Sequence, residues 1–248
     1  MIRRTFMFFS IAIVLLLGLL SPGWAGQIHD AMAAYKKGNY PAALEMFRPL
    51  AMGGDQIAQT VLGMMYQLGQ GVAENNAEAA KWYRQAANKG SASAQTALAL
   101  MHIYGRGVPR DVTMAVRLYR QAAEQDYVGA QAALGDLYIK GKHVELDIEQ
   151  GIGWHRKAAE NGNAKSQQLI GVLQFTGKVL RENKVSAVQW FHKAAQQGLP
   201  KSQFMYGTAL EYGLGIKADS AAALMWYRKA AAQGHEKAKA ALAKLSNR

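Results

Sequence analysis

The sequence predicts an all-α chain: an α/α superhelical solenoid of helix-turn-helix units with a 36-residue period. Three observations predict it. A step of 36 from Gln59 lands on Gln95, Gln131, Gln167 and Gln203, and the same step from Ala86-Ala87 ends at Ala230-Ala231, with no insertion from Ala58 to Gly234. A fixed period of about 20 to 50 residues is the mark of a solenoid. Within a unit, Ala58, Leu62 and Tyr66 lie four apart on one helical face, and Ala79, Trp82, Tyr83, Ala86 and Ala87 make a second apolar stripe. Between the stripes stand helix stop and start signals: Gly69-Gln70-Gly71-Val72, then Asn75, replaced by Asp111, Asp147, Asn183 and Asp219 in later units. Such chains grow in one dimension and need no single large core.

In chain order, residues 1–25 read as a secretory signal. Arg3 and Arg4 are a positive start, Phe6 to Leu20 is uncharged and apolar, and Gly23-Trp24-Ala25 offers a small-residue cleavage site after Ala25. The run is short of the roughly 20 residues of a full span. The expectation is therefore a periplasmic or secreted chain with no stable transmembrane helix after cleavage. An uncleaved signal anchoring the chain in the inner membrane is the alternative. Residues 26–55 form a shortened opening unit: a helix over Ile28–Lys37, a turn at Gly38-Asn39, and a helix that Pro41 starts well because its missing N–H costs nothing there. Five full units follow, at 56–91, 92–127, 128–163, 164–199 and 200–235. Each reads helix A, loop, helix B, turn. Asn or Asp before helix B is an N-cap, and Val72 can fold back on the core as a plug. Gly63, Gly135, Gly171 and Gly207, with Ala99, sit mid-helix, where glycine costs about 1 kcal/mol against alanine. Close crossing of helix A over helix B is the expected compensation, with the Trp and Tyr positions of helix B filling the space between units. Residues 236–248 make a capping helix with a polar outer face.

Ala58, Leu62-Gly63, Tyr66, Gly69, Gly71-Val72, Ala79, Trp82-Tyr83, Ala86-Ala87 and Gly90 together resemble the Sel-one-like repeat (SLR) family, a relative of tetratricopeptide repeats, in its exported bacterial type. The resemblance covers Gln56 to about Gly234 in five units. His102 and Gln174 replace Tyr66, Gly151 replaces Ala79, His155 replaces Tyr83, and His143-Val144 replaces Gly71-Val72, so the third and fourth units read as looser. The resemblance implies helix A on the concave side and an adaptor or assembly scaffold, often at the bacterial envelope.

Composition narrows the chemistry. The absence of cysteine excludes disulfides, a lipid-anchor cysteine and cysteine-based metal or redox sites. The net charge is +12, and loss of Arg3 and Arg4 with the signal leaves +10. An exported basic chain suits acidic partners such as anionic envelope polymers or acidic proteins, and no nucleic acid is expected. No His-Glu-x-x-His, Ser-x-x-Lys, Gly-x-Ser-x-Gly or phosphate-binding Gly-Lys-Ser/Thr occurs, and no metal site, cofactor or catalytic residue is read.

Three sets of side chains are candidates for binding. Gln59, Gln95, Gln131, Gln167 and Gln203 either form a ladder that hydrogen-bonds an extended peptide or bridge neighbouring units. Gln67, Ile103, Ile139, Phe175 and Glu211, one turn before each loop, change chemistry on a constant frame, as do Met64, Leu100, Asp136, Val172 and Thr208. The first row is either an exposed strip for a partner or half-buried against the next helix A. Arg84, Arg120, Arg156 and Arg228, with His192 and the adjacent Lys157, Lys193 and Lys229, are either a face for an anionic polymer or cations that suit the helix dipole and solubilise an outer face. The sequence thus favours a non-catalytic protein–protein interaction scaffold, with an anionic polymer or glycan binder second. A cell-wall or β-lactam hydrolase is third.

Overall fold

A computed structural model describes residues 22–246, with side chains over residues 26–245. Its described residues form thirteen helices and no strand. α1 (Pro22–Lys36) and α2 (Tyr40–Met52) are the opening pair. Helices A and B then alternate as α3 (Gln56–Leu68) and α4 (Asn76–Asn88), α5 (Ala92–Tyr104) and α6 (Val112–Ala123), and α7 (Val128–Lys140) and α8 (Ile148–Glu160). α9 (Ala164–Thr176) and α10 (Lys184–Gln196), then α11 (Pro200–Tyr212) and α12 (Ser220–Ala232), complete the five pairs, and α13 (Glu236–Ser246) closes the stack. α1 starts at Pro22, ahead of the helix expected from Ile28. Residues 1–21 of the expected signal lie outside the described residues.

Local chemistry sets the boundaries. The side chains of Asn75, Asp111, Asp147, Asn183 and Asp219 each accept a hydrogen bond from the backbone N–H three residues on, at 2.8–3.0 Å. Each such cap stabilises its helix by about 1 kcal/mol. Every helix A of the five pairs ends in a left-handed glycine: Gly69, Gly105, Gly141, Gly177 or Gly213. Two residues on, Gly71, Gly107 and Gly215 press the loop onto the first turn of the preceding helix B. A Cβ on Gly107 would lie 2.1 Å from the Asn76 carbonyl oxygen. His143 and Val179 stand at this place in the third and fourth units, and His143 instead accepts a 3.0 Å hydrogen bond from Arg110 of the preceding loop.

The mid-helix glycines receive the aromatic ring of helix B. A Cβ on Gly63 would sit 2.7 Å from Tyr83, one on Gly171 2.7 Å from Phe191, and one on Gly207 2.9 Å from Tyr227. The Tyr position of helix B therefore packs inside its own unit, not between units. The Trp position lies at the junctions, where Trp226 of α12 meets His192 of α10 across 5.9 Å. Consecutive helices pack in sequence, and helix A of one unit also touches helix A of the next, as α5 touches α7. Buried apolar side chains run through the stack as a chain of clusters. The link around the third and fourth units is thinnest, with Ile152, Ala159 and Ile170 as its buried members. That is where Gly151 and His155 replace larger apolar residues.

Candidate interaction surface

The five ladder glutamines are braces. All are buried. Each donates its side-chain amide to the carbonyl eight residues earlier, at the end of the preceding helix B: Ala51, Ala87, Ala123, Ala159 and Ala195, at 3.0–3.3 Å. Four of them also accept at Oε1 from the side-chain amide 30 residues on: Gln125, Asn161, Gln197 and Gln233. Gln197 and Gln233 donate in addition to the carbonyls of Gly162 and Gly198 in the preceding unit. The ladder so gives each helix-end carbonyl a second partner beside the backbone N–H three residues on, that of Gly54, Gly90, Asp126, Gly162 or Gly198. No peptide-binding amide is left free on it. Position 89 of the first unit is a lysine, which reaches the Gly54 carbonyl instead, and Gln59 Oε1 is buried without a hydrogen-bond partner.

The second row also turns inward. Gln67 and Glu211 accept hydrogen bonds from the hydroxyls of Tyr83 and Tyr227 at 2.8 and 2.7 Å. Ile103 is buried. Ile139 is half-buried, its side chain against Gly151, and Phe175 is half-buried with its ring centroid 5.7 Å from that of Phe191. The reason is helical geometry: positions 63 and 67 are four apart, so both lie over the ring of helix B. In three units the row matches the ring of helix B, a polar acceptor over Tyr83 and Tyr227 and an aromatic over Phe191, whereas in the second unit Ile103 stands at the place equivalent to Gln67 although the ring is Tyr119. Burial pushes the Tyr83 phenol well above its ordinary pKa. The row is an internal contact and not an exposed strip.

One residue further on, a turn of about 100° brings side chains out. Leu68 and Tyr104 are each 54 % exposed and Tyr212 is 60 % exposed, while Lys140 and Thr176 occupy the same place in the third and fourth units. Four residues back on the same face stand Met64, Leu100, Asp136, Val172 and Thr208. This stripe of helix A is apolar in the first two units, charged in the third, where Lys140 pairs with Asp136 at 2.8 Å, and mixed thereafter. Sequence reasoning reached its inner half and missed Leu68, Tyr104 and Tyr212. A large apolar residue just before a helix-ending glycine was the available signal.

Arg84, Arg120, Arg156 and Arg228 are exposed along the B helices. None makes an ion pair among the described residues, and Arg120 donates to the Tyr138 hydroxyl at 3.3 Å. The lysines beside them are engaged otherwise: Lys157, Lys193 and Lys229 place Nζ 4.2–4.6 Å from the ring centroids of Trp154, Trp190 and Trp226. Each is a cation over an indole face three residues earlier, a contact of about 0.5–1 kcal/mol at exposed sites.

The model of the Sel1 repeat matches residues 56–91, 92–127, 128–163, 164–199 and 200–235. The chain belongs to the Sel1 repeat family. A Sel1 repeat protein from Oxalobacter formigenes is 34 % identical, with a TM-score of 0.76 over 85 % of this chain and 86 % of its own. The protein c5321, a protective antigen of uropathogenic Escherichia coli strains displaying an SLR fold, is 32 % identical with a TM-score of 0.78 over 90 % of this chain. This chain spans 49 % of that antigen's length. Immunity protein Pa5087 from Pseudomonas aeruginosa shares the fold alone, at 17 % identity and a TM-score of 0.55 over 87 % of this chain and 83 % of its own. No curated protein matches. Sel1 repeat proteins generally act as protein-interaction scaffolds and are typically non-catalytic.

One constellation in this Sel1 chain has the composition of a hydrolytic triad. His155 Nδ1 lies 3.0 Å from Ser166 Oγ, and its Nε2 lies 3.4 Å from Asp136 Oδ1. Its burial is inverted for catalysis. Ser166 is completely buried and Asp136 is the exposed member, so no substrate carbonyl can reach the hydroxyl. The ring lies on Gly135 as Tyr83 lies on Gly63. His155 is thus the helix-B aromatic of its unit, with Nδ1 on Ser166 and Nε2 buried near Asp136 without a hydrogen bond of good geometry. The His155 ring at 3.4 Å, helped by Lys140, holds the Asp136 carboxyl down at about 2. No cluster of metal-ligating side chains occurs among the described residues, and none of their helices is long and apolar enough to cross a membrane.

Proposed function

We propose that the chain is a non-catalytic interaction scaffold of the bacterial envelope, exported by residues 1–25, that binds a partner protein or peptide along the exposed stripe of its A helices. The observation that carries this reading is Leu68, Tyr104 and Tyr212, large apolar side chains exposed at one place in the first, second and fifth units of a braced frame. Exposed apolar rows rimmed by polar groups mark interaction surfaces, and aromatic residues dominate the energetics of such contacts. Similarity to a protective antigen suits an exported chain. The test is capture of an envelope protein by the immobilised chain, with Leu68→Glu, Tyr104→Glu and Tyr212→Glu combined as the comparison. Loss of one specific protein supports the reading, and identical capture by both contradicts it.

A second reading, an anionic envelope polymer held on the B-helix side, is favoured by the exposed guanidiniums of Arg84, Arg120, Arg156 and Arg228, none in an ion pair among the described residues. Polymer binding that survives their joint change to Gln, or that is unmoved by high salt, rules it out.

A further inference from the structure

The helix-B side carries a gap at a junction whose counterpart further along the stack is filled. At the junction of the fourth and fifth units, the space between α10, α11 and α12 holds three stacked or edge-on rings. His192 lies 4.6 Å from Tyr206 and 5.9 Å from Trp226, and Tyr206 lies 5.4 Å from Trp226, centroid to centroid. Lys229 covers the indole. The equivalent places at the junction of the first and second units hold Arg84, Leu98, Leu118 and Gln121. Two rings are replaced by leucines, the lysine by a glutamine, and a cavity of about 380 Å³ opens between α4, α5 and α6. Its floor is Leu98, Leu118 and Ala87, all buried, and its rim carries Arg84 and Arg117. No Asp or Glu lines it. Neither arginine is in an ion pair among the described residues, and Arg117 touches only the Met114 sulfur, a weak acceptor.

We propose that this cavity receives a bulky side chain, an aromatic above all, from an acidic peptide segment of a partner protein, whose flanking carboxylates Arg84 and Arg117 hold. The fold supplies the template. Four of the five units place a tryptophan of their own at the position of Leu118, so the fold accommodates an indole at this place in the repeat. The volume falls within the roughly 300–1,000 Å³ of ligand pockets. Guanidinium pairs grip carboxylates through two parallel hydrogen bonds, and a desolvated aromatic anchor beside such pairs is the usual composition of an interface hot spot. The inference rests on the chain's being an interaction scaffold, but not on the stripe of its A helices.

The experiment is fluorescence anisotropy of the labelled peptide Glu-Asp-Trp-Glu-Asp, capped at both ends, titrated with the protein purified from expression of the full chain. The expected result is saturable binding that weakens roughly tenfold or more, about 1.4 kcal/mol, when the peptide's tryptophan becomes alanine. Leu118→Trp fills the cavity with the residue that the other units carry, so it leaves thermal stability undiminished and abolishes binding. Leu118→Ala enlarges the cavity and retains binding. Arg84→Gln with Arg117→Gln weakens binding and flattens its salt dependence. No saturable binding by wild type overturns the proposal and leaves the A-helix stripe as it stood. Equal binding by Leu118→Trp also overturns it. So does binding that follows the arginines and the peptide charge but ignores the tryptophan, which transfers the site to an anionic polymer.

Discussion

Replacing Gln131 by methionine isolates the bracing role of the glutamine ladder, because the change keeps length and helix propensity while removing the amide. Gln131 is fully buried and makes three hydrogen bonds: to the Ala123 carbonyl at 3.2 Å, to Asp126 Oδ1 at 3.1 Å, and from Asn161 at 3.1 Å. Asp126 and Asn161 are exposed and regain water, so those two bonds together cost about 1 kcal/mol. The Ala123 carbonyl keeps the backbone N–H of Asp126 at 3.1 Å, so losing the amide there costs about 1 kcal/mol. The sum, about 2 kcal/mol, lowers the midpoint of thermal unfolding by roughly 4–8 °C in a chain of this size. Gln59→Met is the internal control. It loses the bonds to the Ala51 carbonyl, which keeps the Gly54 N–H, and to the exposed Gln85, but it also removes the unpartnered Gln59 Oε1, leaving a net loss of about 1 kcal/mol or less. Urea denaturation followed by circular dichroism, with unchanged denaturant slope, compares the two. A Gln131→Met protein within about 0.5 kcal/mol of wild type refutes the reasoning. So does a Gln59→Met protein that loses as much as Gln131→Met.

Gly107→Ala puts a side chain on a residue at φ +67° and directs it into the Asn76 carbonyl, whereas Gly90→Ala, at φ +92°, meets nothing within 4 Å. The first is expected to cost about 3 kcal/mol and the second about 1, from left-handed strain with and without the backbone clash; equal losses by urea denaturation would count against the loop-on-helix contact. The Asp136 carboxyl is held at about 2 against an ordinary 3.8, so its contribution is present above the ordinary value and is lost as pH falls from about 4 towards 2. Asp136→Asn is expected to flatten the stability profile across that window alone, as read by thermal unfolding at stepped pH; an unchanged profile would show that the His155 contact does not set the shift.

The period, the caps and the close crossing of helices were legible because each depends on one residue type at one place: Asn or Asp at position 75, glycine at 69, glycine at 63. The interaction surface was legible only in part. Position 67 and position 68 differ by a single residue, yet one looks onto the helix-B ring and the other into water, and periodicity from one sequence does not fix that phase to within 100°. The second half of the glutamine brace was hidden for another reason. Gln125, Asn161, Gln197 and Gln233 share a hydrogen-bonding amide and not an identity, and Lys89 breaks the series. The Ser166–His155–Asp136 chain joins a loop-facing helix start to two other helices, so no linear motif announces it. Leu118 was visible as a departure from the tryptophan series, but its meaning depends on Leu98 and Arg84 lying beside it in space.

The most direct measurement is position-resolved photo-crosslinking in the native envelope, with a benzophenone amino acid placed singly at residues 68, 104 and 212 on the A helices and at 120, 156 and 228 on the B helices. The scaffold account predicts one and the same protein crosslinked from 68, 104 and 212 and absent from 120, 156 and 228. Crosslinks of equal yield from both sets, or from the B-helix set alone, would contradict it.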